Sequence, residues 1–159
     1  MTPIHECREH AKNYFSLRLF QKGTAAFNAH DLDGFAEILA DDVVFKASGG
    51  IQGEGRAACA AFFGSWFTAF PDARVEVQAV HIVDDVAVEE GTFMGTRNGV
   101  LHGPMGDIPP TGRSVAVDYV QVLRFRAGKH VSFNLMFGRL MIWSNSALPD
   151  TCGSSVITS

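Results

Sequence analysis

Two side chains in the middle of the chain have the chemistry and the setting for proton transfer. Glu90 follows Val86 and Val88 at spacings of two, and Thr92 and Met94 continue the row. Alternation of this kind puts the whole row on one face of a strand. An inward-facing row of this composition would surround Glu90 with apolar side chains. Removal from water raises a carboxyl's pKa toward neutrality, where it works as an acid or a base. The competing place for Glu90 is the sheet rim, paired with an Arg or Lys. His81 closes a similar row, Val75-Val77-Ala79. It is a candidate proton shuttle at a pocket mouth, against a half-buried structural histidine as the alternative.

These groups need a pocket, and the aromatic content offers walls for one. Thirteen Phe occur in 159 residues; most must serve a core, but aromatic surfaces also suit apolar or ring-shaped ligands. The spacing predicts a helix over 56–70, with Ala58, Phe62, Trp66 and Phe70 on one stripe and Cys59, Phe63 and Phe67 beside it. That face is too wide and too aromatic to meet much water. It should lie across the concave side of a sheet, with Trp66 and Phe70 serving as core and as ligand wall.

The other elements follow from periodicity. A helix is predicted over 5–29, with Gly23 as a weak point or a close packing contact. Asp31 suits an N-cap for a second helix bearing Leu32, Phe35, Ala36 and Leu39. Val43–Phe45 reads as a short strand. Alternation then predicts strands over 74–83, 86–96, 114–125 and 131–137, the last after a turn at Ala127-Gly128-Lys129. A Gly/Pro loop ending in Pro109-Pro110-Thr111-Gly112-Arg113 joins the middle pair, and its His102, Asp107 and Arg113 are conceivable lid groups. Residues 140–143 should form a closing helix or an interface segment. The order defines an α+β domain over 1–148, with a disordered tail over 149–159.

Bulk properties exclude several classes. A formal net charge of −4 lacks the basic stripe that nucleic acid requires. No apolar run approaches the ~18 residues of a membrane span, and the N-terminal region lacks the apolar core of a secretory signal. Cys7, Cys59 and Cys152 show neither metal-ligand nor disulfide spacing, which fits a reduced, cytoplasmic setting.

The chain also carries an ordered set of phrases. They are Phe27-Asn28-Ala29-His30-Asp31-Leu32-Asp33, Leu39-Ala40-Asp41-Asp42-Val43-Val44-Phe45, Phe70-Pro71-Asp72-Ala73-Arg74-Val75, Gly91-Thr92-Phe93-Met94-Gly95-Thr96, Ile108-Pro109-Pro110-Thr111-Gly112-Arg113 and Arg124-Phe125-Arg126-Ala127-Gly128-Lys129. In this order it resembles the SnoaL-like polyketide (ester) cyclases of the NTF2-like superfamily. The resemblance implies an NTF2-like cone: three N-terminal helices packed on a strongly curved antiparallel sheet that encloses a pocket. It also implies a homodimer and no metal or organic cofactor.

The family's acid/base aspartate would fall at Leu135 and its histidine at Gln121, counted from Gly128 and Arg124. Neither residue transfers protons near neutrality, so the usual aldol-cyclase apparatus is missing. With Gln121 and Leu135 inward, period two turns Tyr119, Leu123, Phe133 and Phe137 inward and Asp118 outward. Tyr119 and Gln121 then become candidates to orient a carbonyl or phenol, with Phe133, Leu135 and Asn134 as further ligand contacts. Lys46 follows the first strand, where the superfamily often places a pocket residue; a surface lysine is the alternative.

Three functions compete for a small apolar ligand. The first is a cofactor-free cyclase or isomerase of a polyketide- or terpenoid-like molecule, with Glu90 and His81 as acid/base groups. The second is an epoxide hydrolase or dehydratase using a water held between a carboxylate and an amide. The third is a non-catalytic binding domain.

Overall fold

The computed structural model describes residues 3–103 and 106–138, with side chains from Tyr14 onward. Residues 140–143 and the tail over 149–159 lie outside the described residues. The elements run α1 (Pro3–Asn28), α2 (Leu32–Glu37), β1 (Leu39–Ala47), β2 (Ile51–Glu54), α3 (Arg56–Ala69), β3 (Arg74–Val83), β4 (Val86–Thr96), β5 (Leu101–Gly103), β6 (Gly106–Ile108), β7 (Ser114–Arg126) and β8 (Lys129–Phe137).

Local chemistry sets most of the boundaries. The Asp31 carboxylate accepts from the Gly34 N–H at 2.9 Å and caps α2. Asp84 (φ 52°) closes the β3–β4 turn, and Ala127 and Gly128 (φ 49° and 75°) close the two-residue β7–β8 turn. The loop before β7 is pinned rather than free: the Arg97 carbonyl accepts from the N–H groups of Thr111 and Gly112, and the Arg97 N–H donates to Arg113 O.

Six strands form one sheet in the order β2-β1-β8-β7-β4-β3. The expected antiparallel sheet is mixed instead, because β1 and β8 pair in parallel. Other departures are local. The second strand β2 lies where no strand is predicted, and the small β5–β6 hairpin occupies the Gly/Pro loop. Leu39 begins β1 rather than extending the α2 stripe, and β8 starts at Lys129 rather than Val131.

Register fixes which side chains share a face. One inner row runs Ala47, Leu135, Gln121, Glu89, Val80; its neighbour runs Phe137, Tyr119, Gly91, Val77. One outer row runs Lys46, Asn134, Val122, Val88, His81, and the next runs Met136, Val120, Glu90, Ala79. Two events put the polar candidates in the outer rows. The β3 register shifts between Val77 and Ala79, a bulge that reverses the faces beyond it. Val80 and Ile82 consequently pack on the core while His81 is exposed. On β4 the inward parity belongs to Ala87, Glu89, Gly91 and Phe93, so Glu90 is exposed.

The core is an aromatic relay between the helices and the inner face. Phe133 stacks on Phe45 with centroids 5.2 Å apart and meets Phe63 at 5.6 Å. Trp66 stacks on Phe70 at 5.8 Å and meets Phe93 and Phe137 edge-on.

Candidate functional site

Between the helices and the inner face lies a cavity with about 90 Å³ open to the centres of water-sized spheres. One water needs about 10–15 Å³ on that measure, so there is room for several waters or a small ring system. Phe20, Gly23, Thr24 and Phe27 of α1, Phe35 of α2, and Phe62, Phe63 and Trp66 of α3 form one wall. Strand side chains form the other, among them Phe93, Val117, Leu123, Phe133, Leu135 and Phe137. Against this apolar lining the polar groups stand out: Glu89, Tyr119, Gln121 and His130, besides the Thr24 hydroxyl, which donates to the Phe20 carbonyl of its own helix.

Glu89 is 1% exposed. Both of its oxygens are held. The Tyr119 hydroxyl donates to Oε1 at 2.5 Å, and the Gln121 amide nitrogen donates to Oε2. Pairing geometry explains the arrangement. Gln121 stands directly opposite Glu89 across the β4–β7 pair, and Tyr119 stands opposite Gly91. The phenol lies over that glycine: a Cβ at position 91 would come within 2.7 Å of the Tyr119 oxygen and 2.8 Å of the Glu76 carbonyl. The absence of a side chain at Gly91 is therefore what lets Tyr119 reach Glu89.

Burial and hydrogen bonding act on this carboxyl in opposite senses. Loss of water raises its pKa above the ordinary 4.5, and the bonds from Tyr119 and Gln121 pull it back down. Burial, with the neighbouring Glu89 charge, drives the Tyr119 phenol far upward, so it stays a proton donor in this bond.

His130 occupies a second part of the lining. Burial pushes its pKa down to about 4, and a hydrogen bond with the Leu19 backbone opposes that shift. Its ring packs edge-on against Phe125 at 4.8 Å.

The expected site residues divide by face. Tyr119, Gln121, Phe133, Leu135 and Trp66 line the cavity. Phe70 is fully buried behind Trp66 and is core rather than lining. Glu90, His81, Asn134 and Lys46 are exposed on the other face of the sheet, and none reaches the cavity. The Tyr119 hydroxyl and one N–H of Gln121 are committed to Glu89, where a ligand carbonyl or phenol was the expected partner. His102 and Asp107 bond each other at 2.7 Å on the exposed β5–β6 hairpin, away from the cavity.

Sequence reasoning missed Glu89 and His130, for different reasons. Val86 and Val88 mark an outer face that is itself apolar, so β-branched residues do not identify the inner one. Glycine parity would have identified it. Gly91 and Gly95 share Glu89's face, and each lies under an aromatic ring, Tyr119 or Phe70. His130 fell between the predicted turn and a strand begun two residues too late.

Among the described residues no cluster of three or more His, Cys, Asp or Glu could hold a metal ion. Cys59 is a buried free thiol pushed up to about 11 by burial, which makes it a poor nucleophile. No described helix is long and apolar enough to cross a membrane.

This architecture defines an NTF2-like fold carrying a buried carboxyl. The SnoaL-like domain family matches residues 20–133, and the chain belongs to it. A protein of Jannaschia sp. CCS1, provisionally named a SnoaL-like polyketide cyclase, superposes at TM-score 0.79 with 18% identity over 87% of this chain and 95% of that one. AclR of Streptomyces galilaeus, provisionally named a hydroxylase, superposes at 0.72 with 25% identity over 86% and 99%. An NTF2-like protein of unknown function from Burkholderia pseudomallei K96243 superposes at 0.71 with 21% identity over 84% and 98%. No curated protein sequence matches the chain.

Proposed function

We propose that the protein is a cofactor-free acid/base catalyst that moves a proton next to a carbonyl in a small apolar molecule of polyketide or terpenoid type, leading to isomerisation or ring closure. The observation that carries this reading is Glu89: a carboxyl 1% exposed, in an aromatic cavity, with both oxygens fixed by Tyr119 and Gln121. The ionised carboxyl takes a proton from the carbon beside the carbonyl, and the C–H electrons move onto the carbonyl oxygen as an enolate. Return of the proton at another carbon completes an isomerisation; attack of the enolate carbon on a second carbonyl, with the proton passing from Glu89 to the new alkoxide oxygen, completes a ring. Tyr119 and Gln121 are positioning residues, because they act through Glu89. The SnoaL-like family membership and the cyclase name of the Jannaschia neighbour support the substrate class.

Hydrolysis is the weaker reading. It needs a water between carboxylate and amide, whereas the Gln121 amide donates straight to Glu89. Labelled oxygen from water entering the product would favour hydrolysis.

The test uses 2-tetralone, a bicyclic ketone with an activated C–H flanked by ring and carbonyl. The wild type should speed deuterium uptake at that carbon in heavy water, and Glu89→Gln should lower the rate by about 100-fold or more. Equal rates in wild type and variant would remove Glu89 from the chemistry, and no acceleration over buffer would favour a binding domain.

We also propose that the protein is a homodimer joined through the outer sheet face. There Val88, Val120 and Val122 are half-buried and Met136 is 44% exposed, in adjacent rows.

A further inference from the structure

Proton transfer at Glu89 leaves one buried polar group of the cavity unused. His130 is 4% exposed and lines the cavity, and its Nε2 has no hydrogen-bond partner. With Nε2 buried and unpartnered, the Leu19 carbonyl that acts on the ring faces the other nitrogen, which assigns the proton to Nδ1. That assignment leaves Nε2 a lone pair, an acceptor with nothing to accept from. Gly23 on α1, also in the lining, keeps the space beside it open: a Cβ there would lie 4.0 Å from Nε2 and 3.0 Å from the Ile38 side chain.

The position of His130 relative to Glu89 gives this acceptor its meaning. Gln121 stands opposite Glu89 and Phe125 stands opposite His130, both on β7. Four residues, about 13 Å, separate these two positions along β7, and Glu89 and His130 stand on opposite sides of that strand. Phe, Trp and Tyr make up half of the residues that line the cavity.

We propose that the cavity takes a ligand that is apolar in its body and carries a hydroxyl, alcoholic or phenolic, at the end remote from Glu89, donating a hydrogen bond to His130 Nε2. The proposal rests on the reading of the cavity as a ligand site and deepens it by naming what the second end of the substrate must be. A ketone or ether oxygen at that end would meet lone pair with lone pair, and a hydrocarbon would leave a buried acceptor unpaired. Either is rejected in favour of the hydroxyl, because a site built around one hydrogen bond discriminates against analogues lacking its donor.

The test compares 2-naphthol with 2-methoxynaphthalene, which keeps the ring and the oxygen but has no donor. Wild-type protein should bind 2-naphthol about tenfold more tightly, and His130→Phe should bind the two equally. With histidine-selective ¹⁵N labelling of the wild type, the His130 Nε2 resonance should shift when 2-naphthol saturates the cavity and stay in place with the methyl ether. This spectrum needs no variant to fold. A preference that survives in His130→Phe, an Nε2 that carries the proton, or a resonance unmoved by saturating 2-naphthol would overturn the proposal. Failure of both probes to bind overturns it together with the ligand-site reading. Unchanged 2-tetralone exchange in Glu89→Gln overturns only the proton-transfer reading and leaves the His130 preference standing.

Discussion

At the scale of single residues, the reactivity of Glu89 is a contest between lost hydration and gained hydrogen bonds, and desolvation is the larger effect. Weakening the bonds should therefore move the carboxyl further from its ordinary range. Tyr119→Phe removes the donor to Oε1 and keeps the ring. The rising limb of the 2-tetralone pH–rate profile should move up by about one pH unit. A profile that stays in place would mean that the phenol does not act on Glu89. Glu90→Gln, one residue away on the exposed face, should leave the exchange rate within about twofold of wild type, as surface changes usually do.

At the scale of elements, the pairing of β4 with β7 makes the site, through one large residue and one absent side chain. Gly91→Ala inserts a Cβ 2.7 Å from the Tyr119 oxygen, and the phenol must leave Glu89 or the strands must part. Overpacking of this kind costs about 1–3 kcal/mol. The urea midpoint should fall accordingly, and exchange activity should fall to the Tyr119→Phe level or below. Full activity in Gly91→Ala would contradict this account of the glycine.

The same elements show what was legible in the sequence. Helix α3 was readable from its aromatic stripes of Phe62, Trp66 and Phe63, and the inward row Tyr119, Gln121, Leu123 followed from the family resemblance, which sets Gln121 and Leu135 inward. Strand β4 was not, since valines mark its outer face as strongly as Ala87 and Phe93 mark its inner one. Strand β3 was readable only as far as Val77. Its bulge is a backbone event that no side-chain alternation announces, and it carried His81 to the outside. The parallel β1–β8 pair depends on long-range register, which local periodicity does not encode; Asn134, by contrast, is turned outward by the same alternation that turns Phe133 and Leu135 inward.

At the scale of the whole molecule, two buried titratable groups should tilt stability in opposite directions with pH. His130 is held neutral by burial, with a folded pKa near 4 against 6.5 for an ordinary imidazole. Its contribution is fully present above pH 6.5 and is lost as pH falls through 4, on the order of 3 kcal/mol by linkage. Urea midpoints between pH 7 and 4 should show that loss in wild type and a flatter course in His130→Phe. Glu89 has a raised folded pKa, so its contribution is present below 4.5 and is lost as pH rises through the folded value. The stability of Glu89→Gln relative to wild type should therefore increase as pH rises from 4.5.

The outer face belongs to the same scale. Val122→Glu puts a charge between Asn134 and Val88. Light scattering should then give the mass of one chain where wild type gives two. A wild type with the mass of one chain would remove the dimer from the account.

The central claim is that the fold keeps one carboxyl dry enough to move protons, and its most direct measurement needs no substrate. With ¹³C-labelled glutamate, the side-chain carbonyl resonance of Glu89, assigned by its disappearance in Glu89→Gln, can be followed from pH 3 to 9. The account predicts a midpoint above the ordinary 4.5, moving higher still in Tyr119→Phe. A midpoint at or below 4.5 would contradict it.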